Sequence, residues 1–67
     1  MNIQLTTREK EVLELICQKM GTQDIADALF ISPRTVEGHR QNLMSKLNVK
    51  NTVGLIIRAV KEKLIEV

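Results

Sequence analysis

The stretch TQDIADALFISPRTVEGHRQNL, from Thr22 to Leu43, decides how this chain folds. Ile25, Ala26 and Leu29 recur at helical spacing and make the inner face of a short helix. Ile31-Ser32-Pro33 then interrupts, and the interruption is itself a start signal. Ser32 can cap a helix, and Pro33 suits the first helical position. Val36, Leu43 and Leu47 continue as the inner line of a second, longer helix. Gly38 breaks the pattern, since an interior glycine costs roughly 1 kcal/mol relative to alanine.

Outward from this stretch the helical period persists, and no useful segment alternates with period two. Thr6-Thr7-Arg8-Glu9 reads as a capping box, in which Thr6 caps and Glu9 reaches back. Val12, Leu13, Ile16 and Met20 follow as one stripe, with Gly21 ending that helix and Thr22 capping the next. Asn48 to Thr52 reads as a loop ending in a cap for a fourth helix. Its inward stripe is expected to be Val53, Ile56, Ile57, Val60 and Leu64. The expectation is an all-α fold, a compact four-helix domain with helices over about 7–20, 23–30, 33–47 and 53–64.

Sixty-seven residues make a single domain over 1–67, too small for a deep catalytic cleft beside a full core. Phe30 is the sole aromatic, which argues against stacking on unpaired bases. A single Cys17 excludes an internal disulfide and a cysteine-based zinc site, and reads as a small buried hydrophobe. No apolar run is long enough to span a membrane, so the default is a cytoplasmic, reduced protein. The net charge of +2 is unevenly spread: −2 from Met1 to Ile31 and +4 from Ser32 to Val67. A basic second half suits a surface that meets phosphates, and equally an ordinary solvated face.

A short helix, a turn of about three residues and a longer helix form a helix-turn-helix, whose second helix enters the DNA major groove. Ala26 is small where the two helices cross, and Ile31 plugs the turn. A helical hairpin that merely fills space shows similar apolar spacing. The motifs go further: LTTREKEVLELI (Leu5–Ile16), TQDIADALFISPRTVEGHRQNL and SKLNVKNT (Ser45–Thr52) together resemble the LuxR/GerE-type (NarL/FixJ) domain of bacterial transcription regulators. That resemblance implies a four-helix domain whose third helix reads DNA and whose fourth commonly dimerises. It also implies the C-terminal domain of a longer response regulator of a two-component system, behind a receiver or ligand-binding domain, with RNA polymerase as a further contact. No cofactor and no metal is implied.

At about 100° per residue, Arg34, Gly38, Gln41 and Ser45 fall opposite Val36, Leu43 and Leu47. Glycine at the centre of that outward face lets the backbone approach base edges closely; the bland alternative is drift at an exposed position. The resemblance places Glu37, Gly38 and Gln41 among the base-contacting positions. Gln41 can pair adenine bidentately, and Arg34 can reach guanine or a phosphate. Relatives often carry lysine in place of Glu37. A carboxylate there is unfavourable unless it accepts from cytosine N4 or is neutralised by Arg34 or Arg40.

Thr22, Gln23, Thr35, His39 and Lys46 are the candidate phosphate contacts, with Thr22 at a helix N-terminus whose amides would face a phosphate. For Lys46 a solvated lysine is the alternative. His39 is the only histidine and makes neither a metal site nor a catalytic pair. Arg40 lies towards the buried side, so a carboxylate partner is expected from Glu9 or Glu11. Leu55 and Ala59 project from the opposite flank of the fourth helix. They are either scattered surface apolars or a weak dimerisation face used mainly on DNA.

Sequence-specific binding of double-stranded DNA to regulate transcription is the leading expectation. Two others are a sigma-factor-like promoter-recognition region and a protein-interaction module that kept the fold and lost DNA affinity. Glu37 and Gln23 are the residues that favour the last. An enzyme is not expected, because no paired carboxylates, nucleophile–base set, metal cluster or phosphate-cradling loop is present.

Overall fold

Local signals set four helices in a computed structural model that describes residues 3–65. The capping box forms as the sequence predicts. The Thr6 hydroxyl accepts from Glu9 N–H at 3.1 Å and Glu9 Oε1 accepts from Thr6 N–H at 2.9 Å, opening α1 at Thr7–Cys17. Helix α2 spans Thr22–Leu29, and α3 spans Pro33–Leu47 behind Ser32, whose side chain accepts from Thr35 N–H. Helix α4 spans Thr52–Lys61, with Asn51 accepting from Gly54 N–H at 2.7 Å. Among the described residues there is no strand.

Several boundaries differ from the sequence reading, among them the end of α2 at Leu29 rather than 30 and the end of α4 at Lys61 rather than 64. Helix α1 ends at Cys17, and Lys19, not Gly21, takes the left-handed conformation (φ 66°) that reverses the chain. Gly21 is instead the N-cap of α2, and Thr22 is that helix's first residue. The cap of α4 is Asn51 rather than Thr52.

All four helix ends share one device. Lys19, Phe30, Asn48 and Lys63 adopt positive φ, and the next residue's N–H bonds back five residues. These bonds run Met20 to Leu15, Ile31 to Ala26, Val49 to Met44 and Leu64 to Ala59, at 2.9–3.2 Å. Each is the 6→1 bond of a Schellman motif, and each donor residue is an apolar one packed against the core. The left-handed positions carry no glycine although such residues cost roughly 1–2 kcal/mol there. Conversely, no glycine of the chain has positive φ. That is why Gly21 misled the sequence reading.

The core joins Val12, Leu13 and Ile16 of α1, Ile25 and Ala26 of α2, Val36, Leu43 and Leu47 of α3, and Leu55 and Ala59 of α4. Helix α3 packs against all three others. The inner face of α4 is rotated from the one expected: Ile56 and Leu64 pack against the core as anticipated, but the other three members of that stripe are exposed. Leu55 and Ala59, anticipated as an outward dimerisation pair, are fully buried, whereas Val53, Ile57 and Val60 are 67%, 62% and 42% exposed. Helix α4 is apolar almost all round, so hydrophobicity offers two stripes. The stripe that packs is Thr52, Leu55, Ile56 and Ala59, at i, i+3, i+4 and i+7, and its first member is polar. Thr52 is held inward by Arg40, whose Nη2 donates to its Oγ1 at 2.6 Å.

Partners of the long charged side chains also differ from expectation. Glu9, almost completely buried, takes Lys46 rather than Arg40, with Nζ 2.6 Å from Oε1. Glu11 pairs with Arg8 at 3.9 Å. Burial alone would raise the Glu9 carboxyl. The bonds from Lys46 and Thr6 and the lysine charge outweigh it, holding the group below its ordinary value of 4.5. Cys17 lies half-buried, where burial first and then the negative charge of Glu14 push its thiol up and keep it protonated.

Because the Glu9 carboxyl is depressed in the fold, its contribution is present above its ordinary titration range and lost as pH falls through the lowered value. Glu9→Gln should therefore cost on the order of 1–2 kcal/mol at neutral pH, and the gap to the unmodified chain should close in acid. Urea unfolding at several pH values measures this; a gap independent of pH would contradict it.

Candidate nucleic-acid interface

Helix α3 is gripped on one side and open on the other. Val36, Leu43 and Leu47 are sealed in the core, while Arg34, Gly38, Gln41 and Ser45 lie on the exposed face. Among the described residues, no side-chain hydrogen bond or ion pair engages Arg34 or Gln41, so their donors and acceptors face outward unspoken for. Gly38 lies between them in sequence. A methyl group built there meets nothing within 4 Å, and the residue's φ is ordinary. Neither packing nor backbone geometry within the chain requires glycine at this position.

The N-terminus of α2 is joined to this face through Glu37. The Thr22 hydroxyl donates a short hydrogen bond to Glu37 Oε2. The same oxygen lies 3.6 Å from Arg40 Nε, and Arg40 continues to Thr52 on α4. One carboxylate thus links the three helices α2, α3 and α4. Of the two neutralising partners considered from sequence, Arg40 is the one in place. The arginine side chain is mostly buried, at 19% exposure, and the glutamate is half-exposed at 51%.

The remaining candidates occupy the flanks, and Gln23, Thr35 and Lys46 have groups already in use. Gln23 Nε2 donates to Asp27 Oδ1 at 3.0 Å along α2. The Thr35 hydroxyl shares a 2.9 Å hydrogen bond with Ser32 Oγ in the first turn of α3. His39 is half-buried. Lys46 is committed to Glu9 and lies 3.3 Å from the Gln4 carbonyl oxygen. An ammonium has three donors, so one remains. Leu55 and Ala59 are absent from any surface. The exposed apolar residues that sequence reasoning missed are Val53, Ile57 and Val60 on α4, and Phe30, 93% exposed at the turn between α2 and α3. The polar Thr52 heading the buried stripe was the one available signal for the α4 face.

Among the described residues no group of three or more His, Cys, Asp or Glu could hold a metal ion, and no helix is long and apolar enough to cross a membrane.

The chain is similar in sequence and fold to known proteins. The family described as bacterial regulatory proteins, luxR family, matches residues 3–59. The oxygen regulatory protein NreC of Staphylococcus epidermidis is 47% identical over 62 residues, covering 92% of this chain and 28% of NreC. The response regulator ChrA of a heme-sensing two-component system superposes with a TM-score of 0.90 at 35% identity, covering 97% of this chain and 32% of ChrA. VqmA of Vibrio cholerae, described as a dimer and also solved as a ligand–DNA complex, gives a TM-score of 0.91 at 36% identity. The DNA complex covers 100% of this chain and 29% of VqmA. The chain therefore spans less than a third of the length of these relatives.

With open space around it, Gly38→Ala should stabilise the chain by about 0.5–1 kcal/mol. Thermal unfolding checks this, and a destabilised variant would show that the fold itself needs glycine there.

Proposed function

Since the chain belongs to the luxR family of bacterial regulatory proteins, DNA-binding transcription regulators and not enzymes, we propose that α3 enters the major groove of duplex DNA and reads its sequence. Arg34, Glu37, Gly38 and Gln41 meet base edges. The observation that carries this reading is the outer face of α3, with two unengaged hydrogen-bonding side chains on either side of a glycine the fold does not need. Close approach of another molecule's surface gives that glycine a purpose. Gln41 pairs an adenine edge, and Arg34 a guanine edge or a phosphate.

Thr22, Gln23, Thr35, His39 and Lys46 hold the flanking phosphates. Thr22 does so through its backbone amide at the start of α2, because its hydroxyl serves Glu37. Lys46 contributes its remaining donor. A second copy covers Val53, Ile57 and Val60 of α4, weakly and mainly on DNA, because the exposed apolar area is small. The domain is the C-terminal output of a cytoplasmic response regulator, and RNA polymerase is a further partner. ChrA and NreC, each more than three times as long as the matched part, support that placement.

Affinity for duplex DNA measured across a salt series tests the function. Log K should fall with log salt at a slope steeper than about −2, reflecting several neutralised phosphates. Ile57→Asp should abolish cooperative occupancy of paired half-sites yet leave a single half-site bound. A flat salt response would overturn the DNA reading, and cooperativity unaffected by Ile57→Asp would overturn the α4 pairing.

A further inference from the structure

Glu37 is the residue least expected on a face that approaches phosphates, and its two oxygens have different surroundings. Oε2 accepts from the Thr22 hydroxyl and faces Arg40 Nε at 3.6 Å. Among the described residues, no hydrogen-bond donor of the chain reaches Oε1, and the side chain is 51% exposed. Neutralisation and base reading are therefore compatible, because they use opposite sides of one carboxylate. Arg40 supplies the positive charge that lets the acid approach DNA. Thr22 and Arg40 together fix its rotamer, and Arg40 is itself anchored at 2.6 Å to Thr52 on α4.

We propose that Glu37 is a cytosine-selecting residue whose Oε1, oriented by the Thr22–Arg40 brace, accepts a hydrogen bond from a cytosine N4 amino group in the major groove. The inference rests on the DNA reading above. A carboxylate offers acceptors only, so among major-groove edges it matches an amino donor and repels the guanine O6 and N7 and thymine O4 acceptors. Adenine N6 is also a donor, but the adjacent N7 lone pair faces a second acceptor. Cytosine N4 carries no such neighbour on its own base. Because the carboxylate is already ordered, reading the base costs little further side-chain entropy. Thr22 and Arg40 are positioning residues here; neither needs to touch the base.

Selection of bound duplexes from a randomised pool, using the unmodified chain, Glu37→Gln, Glu37→Ala and Thr22→Val, tests this. The unmodified chain should select sites with an invariant cytosine at one position of each half-site. Replacing that cytosine should weaken binding roughly 5- to 100-fold. Glu37→Gln should shift the preference to adenine, which an amide can pair bidentately, and Glu37→Ala should erase it. Thr22→Val should blunt the preference without changing which base is favoured. Circular-dichroism melts confirm that each variant is folded.

An unchanged cytosine column in the folded Glu37 variants overturns the inference and leaves the DNA reading standing. So does an equal loss of affinity for every sequence, which would make Glu37 a helix brace only. Failure of the unmodified chain to bind any duplex overturns the DNA reading, and this inference with it.

Discussion

The structure depends on how α3 is held. One stripe, Val36, Leu43 and Leu47, is sealed in the core while the helix packs against α1, α2 and α4. A chain of this size has a total stability on the order of 3–10 kcal/mol. Truncating one buried leucine costs about 2–5 kcal/mol, much of that total. The inner stripe leaves no freedom for α3 to rotate, and by fixing one side it fixes which residues face outward. Presentation of Arg34, Gly38 and Gln41 is thus a consequence of core packing on the other side of the same helix.

Polar links add direction to that apolar grip. Near its C-terminal end α3 is tied to the start of α1 by Lys46 and Glu9. Around its middle it is tied to α2 by Glu37 and Thr22, and to α4 by Arg40 and Thr52. Hydrophobic burial is largely non-directional, whereas these bonds specify angle and register. They differ in environment. Glu9 is buried, so the loss of its partner leaves a desolvated charge, while Glu37 is half-exposed and its pairing is screened by solvent. The first link serves mainly the fold, and the second lies beside the exposed face of α3.

Much of this was legible in sequence, and the failures have physical causes. Helix α3 begins and ends where Ser32-Pro33 and Leu47 place it, because capping and proline geometry are local. The Thr6–Glu9 capping box is local too. The end of α1 was misplaced because Lys19 takes a conformation usually given to glycine, and no sequence period reports that strain. The face of α4 was read with the wrong rotation because Val53, Ile57 and Val60 outweigh Leu55 and Ala59 in hydrophobicity, although Ile56 and Leu64 do pack inward. The choice between them is tertiary: it depends on Arg40 reaching Thr52 from another helix. Lys46 took the Glu9 partner expected of Arg40 for a similar reason, since long flexible side chains find partners that helical angles alone do not specify. The outward grouping of Arg34, Gly38 and Gln41 was readable, because it needs only the helical period and one correctly identified buried stripe.

Backbone amide resonances of the labelled chain, followed as a short duplex is added at low salt, test the role of α3 most directly. Groove binding by its outer face predicts the largest shift changes at Arg34, Gly38 and Gln41, with smaller ones at Thr22 and Gln23. Amides of α1 that line a groove between α1 and α4, such as Glu14, should stay in place. Changes concentrated on that groove or on Val53 to Val60, with α3 unperturbed, would contradict it.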